Sequence, residues 1–84
     1  MSKEGLEKLL EKLRGDLKEC QRRRDMEWAA MPFWQDYDRG RVSRETNPTA
    51  EQVKQYVKYH KLDGRISHLK ETISLIQTLT GEQD

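Results

Sequence analysis

An apolar pattern that continues through a glycine in the second half of the chain constrains the fold most. Large side chains recur there at steps of three and four, the spacing of one face of an α-helix. They are Tyr59, Leu62, Ile66, Leu69, Ile73 and Ile76. Val53, Tyr56 and Val57 precede them at the same steps, and we expect them on the same inward stripe. The Asp63-Gly64 pair lies inside the pattern, and Asp-Gly is also a turn signal. Because the spacing keeps its phase across Gly64, we expect one long helix, bent at most at the glycine; the alternative is a turn that makes three helices.

The ends of this second helix are marked by capping signals, which place it at about residues 50–80. Thr49 is followed three positions later by Gln52, which is the capping-box arrangement at a helix N-terminus. Gly81 is a typical C-terminal stop.

The first helix is predicted over about residues 2–31. Ser2 is a suitable N-cap, and Pro32 should end the helix because a residue before proline avoids helical dihedral angles. One apolar stripe follows the same steps of three and four. Its members are Leu6, Leu9, Leu10, Leu13, Leu17, Cys20, Trp28 and Met31.

Two helices of about 30 residues, each roughly 45 Å long, suit an all-α antiparallel two-helix hairpin. Residues 32–48 would form its long connecting loop, and residues 1–84 a single domain. In a symmetric register the numbers of facing residues sum to about 80. Leu13 then faces Ile66, and Cys20 lies near His60.

A lone hairpin buries only one stripe per helix, and the apolar face is wider than that. Leu9, Leu75 and Leu79 broaden it at one end. We therefore expect a four-helix homodimer with a coiled-coil-like seam, or tight docking as an obligate subunit. Arg24 interrupts the inward stripe and is expected to stack on Trp28 or to reach an acid on the neighbouring chain. The predicted oligomer interface consists of Leu9, Arg24, Leu75 and Leu79.

The stretch "EWAAMPFWQDYDRGR" holds four of the six aromatic residues. "PFWQDYDRG" can form a short helical turn from Pro32 to Gly40. Two interpretations stay open: the rings cover the end of the hairpin core, or they form a binding surface, since Trp, Tyr and Arg dominate interface hot spots. Both hold if Trp28 and Phe33 pack inward while Trp34 and Tyr37 face outward. The predicted partner-binding residues are Phe33, Trp34, Tyr37, Arg39, Arg41 and Arg44.

Charge is abundant but balanced, which limits the classes of partner. Charged residues make up 37% of the chain, yet the net charge is only +1, and no segment forms a basic arm. Nucleic-acid binders usually carry a clear positive excess. Acids flank "QRRRD", so we expect a solvated or salt-bridged face there. A nucleic-acid-associated regulator remains the alternative function, and it would use Arg22, Arg23, Arg39, Arg41 and Arg44.

The pattern offers little chemistry. Cys20 is the only cysteine, and with His60 and His68 it lacks a third ligand or an orienting group. No phosphate loop or nucleophile elbow occurs, and no apolar run approaches a membrane span. We expect a cytoplasmic, non-enzymatic interaction protein with no cofactor, metal or membrane contact. An adaptor, an assembly subunit or a small stoichiometric inhibitor, of the kind that phages and mobile elements encode, fits this description.

Overall fold

The computed structural model describes residues 2–43 and 45–81, and within these ranges it contains three helices and no strand. They are α1 (Lys3–Ala29), α2 (Pro32–Asp38) and α3 (Ala50–Thr80). The molecule is elongated, with extents of 55 × 20 × 15 Å, because α1 and α3 pack antiparallel along most of their length. The all-α prediction is confirmed. The connection is not one long loop, since its first part is α2.

α3 is a single helix that passes through Gly64 without a break, as the apolar spacing predicts. A methyl group added at Gly64 would meet no heavy atom within 4 Å, and the same holds at Gly15. No other backbone segment of this chain therefore packs closely against either glycine. The alternative with a turn at Asp63-Gly64 is wrong.

The helix ends use the capping residues that the sequence indicates. The Ser2 hydroxyl accepts a hydrogen bond from the Gly5 amide at 3.1 Å. At α3 the Thr49 hydroxyl accepts from the Gln52 amide, and the Gln52 side chain accepts from the Thr49 amide, so the capping box is complete. Gly81 takes a left-handed conformation with φ of 76°, which a C-terminal glycine adopts readily.

α1 ends at Ala29, two residues before the predicted end at Met31. Pro32 occupies the first helical position of α2, where its missing amide hydrogen costs nothing. Met31 precedes the proline with φ of −123° and ψ of 60°, outside the helical region. The proline therefore ends one helix and begins the next.

The apolar core lies between α1 and α3 and consists of two neighbouring aliphatic clusters. One contains Leu10, Ile73 and Ile76, and the other contains Cys20, Ile66 and Leu69. Leu13 and Leu17 pack against both clusters and join them. Each fully buried Leu or Ile contributes about 1.5–3 kcal/mol to stability. We call this part of the hairpin, α1 with α3 from Asp63 onward, the stem.

The register of the hairpin differs from the symmetric one. Arg24 pairs with Asp63 and Trp28 packs on Tyr59, so facing residue numbers sum to 87 (24 and 63, 28 and 59) rather than 80. A shift of seven residues is about two helical turns, and the same faces therefore still meet. Cys20 consequently lies with Ile66 and Leu69 instead of beside His60. Because α1 ends at Ala29, the first two turns of α3 extend beyond it.

Candidate functional site

α2 packs its aromatic side chains on the first turns of α3. The rings of Trp34 and Tyr56 lie 4.4 Å apart between centroids, at an angle of 33°. The indole N–H of Trp34 donates a hydrogen bond to the backbone carbonyl of Gln52 at 2.9 Å. Phe33 and Tyr37 contact Trp34 edge-on, at 5.0 and 5.6 Å. Trp34 therefore fixes α2 to α3 by ring packing and by a directed hydrogen bond.

The junction of α1 and α2 is also closely packed. Met31, between the two helices, is 1% exposed. Its amide donates to the carbonyl of Trp28 at 3.0 Å, and the Gln35 side chain donates to the same carbonyl. The Trp28 ring in turn contacts Tyr59 of α3 at 5.2 Å. α2 is thus held to both long helices.

Several large apolar side chains at this end remain open to solvent. Tyr37 and Tyr56 are 38% and 37% exposed, and Val53 and Val57 are more exposed still. The cause is the register: α3 projects two turns past α1, and the seven residues of α2 cover only part of them. We call this surface the aromatic tip. It consists of Phe33, Trp34, Tyr37, Val53, Tyr56 and Val57.

The predicted partner-binding residues occupy different environments in this tip. Phe33 and Trp34 are half-buried, whereas Tyr37, Arg39 and Arg41 are exposed. The arrangement that would combine both interpretations, with Trp34 facing outward, does not occur, because its ring and its N–H are both directed to α3. Tyr37 is exposed, as expected. Arg44 lies outside the described residues.

Sequence reasoning assigned Val53, Tyr56 and Val57 to the inward stripe, although all three are exposed. The spacing of polar residues before Tyr59 indicates that this assignment is wrong. Continued backward from Tyr59 in steps of four and three, the stripe reaches Gln55 and Gln52, which are polar and half-buried. At 100° per residue, the three apolar side chains lie about 60° to 160° around the helix from Tyr59. The apolar face of α3 therefore turns away from α1 before the helix reaches its N-terminus.

A second surface feature is an open groove of about 510 Å³ between α1 and α3, next to the tip. Met26 and Leu62 provide its apolar side chains, and Glu27 is its only acid among the described residues. Five basic side chains line it. We call it the basic groove, and its basic residues are Arg22, Arg23, Lys58, Lys61 and Arg65.

Ion pairs hold three of these five basic residues. Glu19 accepts hydrogen bonds from Arg22 at 2.6 and 3.0 Å and from Arg23 at 3.2 Å. The Arg22 hydrogen bonds lower the pKa of Glu19 to about 2, aided by the charges of both arginines, and the same pair raises the pKa of Arg22. Lys58 pairs with Glu27 at 2.9 Å. The salt-bridged surface predicted for "QRRRD" is confirmed.

The residues predicted for an oligomer interface divide into two groups. Leu9 packs on the core cluster of Leu10, and Arg24 pairs with Asp63 at 3.1 Å. Within the chain, the acid that Arg24 reaches is Asp63 of α3. Leu75 and Leu79 lie four residues apart on α3 and are 62% and 69% exposed.

The described residues include no group of three or more His, Cys, Asp or Glu side chains that could bind a metal ion. Cys20 is buried in the core. Within the same residues, no helix combines the length and the apolar character that crossing a membrane requires.

Comparison with protein-family models, with curated proteins and with solved structures finds no match for this chain.

Proposed function

We propose that this protein is a non-enzymatic interaction module that binds another protein through the aromatic tip. The observation that carries the proposal is the group of four large exposed side chains at this end, Tyr37, Val53, Tyr56 and Val57. The two tyrosine rings of this group contact the half-buried Trp34. Exposed aromatic residues with apolar neighbours are characteristic of interface hot spots. The proposal includes no catalytic residue, metal or cofactor.

The rigidity of the tip also supports the proposal. The hydrogen bond from Trp34 to Gln52 and the burial of Met31 fix the position of α2 before any partner arrives. A preordered surface loses less conformational entropy on binding. Arg39 and Arg41 are exposed beside the rings, and arginine is enriched at interfaces. Arg44 belongs to the proposed site on the basis of the sequence alone.

An interaction module of this size suits an adaptor, an assembly subunit or a small stoichiometric inhibitor, including those of phages and mobile elements. A cytoplasmic location is part of the proposal. We also retain a four-helix homodimer, supported by the exposure of Leu75 and Leu79 beside the core cluster of Ile73 and Ile76. Sedimentation equilibrium should then give twice the chain mass, and Leu75→Glu with Leu79→Glu should give the monomer mass.

The tip is best tested with substitutions that leave Trp34 in place. Tyr37→Ala with Val57→Gln removes exposed apolar surface without touching the hydrogen bond to Gln52. We expect partner proteins captured from native extract to bind this variant about tenfold more weakly or worse. The matched control is Leu75→Ala with Leu79→Ala, which removes exposed apolar surface at the other end. Circular dichroism verifies that each variant remains helical.

A partner that binds the tip variant and the wild type equally would contradict the proposal. So would a partner lost only in the Leu75 and Leu79 control, because binding would then depend on the opposite end, by direct contact or through the homodimer.

One observation favours the alternative of a nucleic-acid-associated regulator. Arg22 and Arg23 lie together with three basic residues of α3 in the basic groove. Binding through phosphate contacts would weaken steeply with added salt, and replacing Arg22 and Arg23 would reduce that salt dependence. Electrophoretic mobility shifts over a salt series measure both effects.

A further inference from the structure

The basic groove concentrates positive charge in a protein that is nearly neutral overall. Its lining holds five basic residues and one acid, and with Glu19 at its edge the excess is still three positive charges (five against two). The net charge of the whole chain is only +1. We propose that this groove is a second binding site, separate from the aromatic tip, and that it accepts an acidic amphipathic helical segment of another protein.

The basic residues of α3 define where the acids of such a segment would bind. Among the described residues, Lys61 and Arg65 make no ion pair, whereas Arg22, Arg23 and Lys58 already contact Glu19 or Glu27. Lys61 and Arg65 lie four positions apart and therefore one above the other on the helix. Two carboxylates one turn apart on a second helix would match this spacing.

The apolar side chains in the groove indicate an amphipathic partner. Met26 is 59% exposed, and Leu62 lies across from it half-buried. The Arg22 guanidinium approaches the Met26 sulfur at 2.9 Å, so charge and apolar surface are adjacent. Methionine adapts its shape to apolar partners. An apolar residue flanked by acids would therefore bury its side chain on Met26 while its neighbours reach the cations.

The same features favour an acidic protein segment over nucleic acid. A phosphate backbone offers no apolar group to Met26 and Leu62. Proteins that bind single strands usually stack bases on aromatic rings. None of the described side chains that line the groove is aromatic.

The length of the groove sets the size of the segment. From Lys58 to Arg65 α3 rises about 10 Å, which is two helical turns. Helical segments commonly bind in grooves through one apolar stripe of this kind. The chemistry of the partner is thus a helix of at least two turns with acids three or four apart around one or two large apolar residues.

The test uses a synthetic helical peptide with two glutamates four residues apart that flank a leucine, and a matched peptide with glutamines in their place. Fluorescence anisotropy measures the binding of each to the full chain. We expect the acidic peptide to bind, and Lys61→Glu with Arg65→Glu to weaken it by about tenfold or more, because rim charges turn from attraction to repulsion. Lys8→Glu with Lys12→Glu makes the same change in net charge on exposed positions far along α1 and should leave binding unchanged.

Two further variants separate the parts of the proposal. Met26→Gln should weaken the acidic peptide severalfold, because Met26 is the exposed apolar contact. Tyr37→Ala with Val57→Gln should leave the peptide affinity unchanged, so that failure of the groove and failure of the tip are distinguishable.

Several results would overturn the proposal. They are a dissociation constant weaker than about 1 mM for the acidic peptide, equal binding of the glutamine peptide, or equal losses in the two charge-reversal variants. An unchanged affinity in Met26→Gln would reduce the groove to a patch of charge without an apolar contact. Tighter binding of a single-stranded oligonucleotide than of the acidic peptide would assign the groove to nucleic acid.

Discussion

The stem buries its large apolar side chains, whereas the aromatic tip leaves several of its own exposed, although α3 belongs to both. In the stem, Leu10 and Ile66 are 1% and 2% exposed, because two long helices cover each other. In the tip, Tyr56 is 37% exposed, because only the seven-residue α2 packs against it. α3 thus contributes buried side chains to the core in the stem and exposed side chains to the surface in the tip.

The change occurs where the apolar face of α3 rotates. Beyond Tyr59, the positions that continue the seam are Gln55 and Gln52, while Val53 and Val57 lie on another face. A helix is stabilised mainly by the apolar face that it buries. Because the seam positions there are polar, a longer α1 would gain little from packing against them. The difference between the halves therefore has a cause in the sequence, and substitutions can test it.

The largest expected effect is the loss of a buried stem residue. Leu10→Ala should lower the free energy of unfolding by about 2–5 kcal/mol, since the cavity adds to the lost burial. Urea denaturation followed by circular dichroism measures it. Val53→Ala is the comparison in the tip, and its exposed side chain should change stability by no more than about 0.5 kcal/mol.

Leu10→Ala takes a large fraction of the stability of a small domain and can abolish folding outright. Ile66→Val is the milder stem variant, with an expected loss of about 0.5–1.5 kcal/mol. Equal losses in Ile66→Val and Val53→Ala would show that the two halves are packed alike, and the comparison would fail.

A smaller effect is expected from the hydrogen bond that fixes α2. Trp34→Phe keeps an aromatic ring against Tyr56 but removes the indole N–H, so the Gln52 carbonyl loses this donor. We expect a loss of about 1 kcal/mol in the free energy of unfolding. Hydrogen exchange should show faster exchange in α2 and unchanged protection in the stem, because the lost contact belongs to the tip alone.

If Trp34→Phe speeds exchange in the stem as much as in α2, the tip and the stem unfold as one unit. The tip would then be part of the core and not a separately presented surface.

The helices and their caps could be predicted from the sequence because these signals are local. The step pattern through Gly64 and the Thr49 and Gln52 capping box each involve residues close together in the chain. The register could not be predicted in this way. A seven-residue shift moves the chain two turns and returns the same faces to each other, so apolar residues match in both registers.

The register also explains why the basic groove escaped prediction. In the symmetric register, Gly15 rather than Arg22 would lie level with Arg65 (15 and 65 sum to 80). In the structure Arg22 and Arg65 line one groove. A site built from two helices depends on their offset, which long-range contacts such as Arg24 with Asp63 accompany. The composition of the tip was visible in the sequence, but the exposure of each ring depends on that same offset.

The smallest expected effect concerns Gly64, at the end of the stem nearest the tip. Gly64 lies one residue after Asp63 in α3, and an added methyl group would meet no neighbour within 4 Å. Gly64→Ala should therefore raise the free energy of unfolding by up to about 1 kcal/mol, since glycine disfavours a helix interior. Gly15→Ala, in the stem with the same open surroundings, is the matched control and should give a similar gain. Thermal denaturation measures both.

The pair distinguishes a continuous helix from a hinge. If Gly64 only interrupts a helix, alanine stabilises the chain at both positions and partner binding at the tip is unchanged. If the tip must swing relative to the stem when a partner binds, Gly64→Ala alone should weaken that binding while Gly15→Ala does not. Such a split would mean that α3 does not hold the tip in a fixed position relative to the stem. The binding surface around Trp34 would then form only when a partner binds, instead of being ordered beforehand.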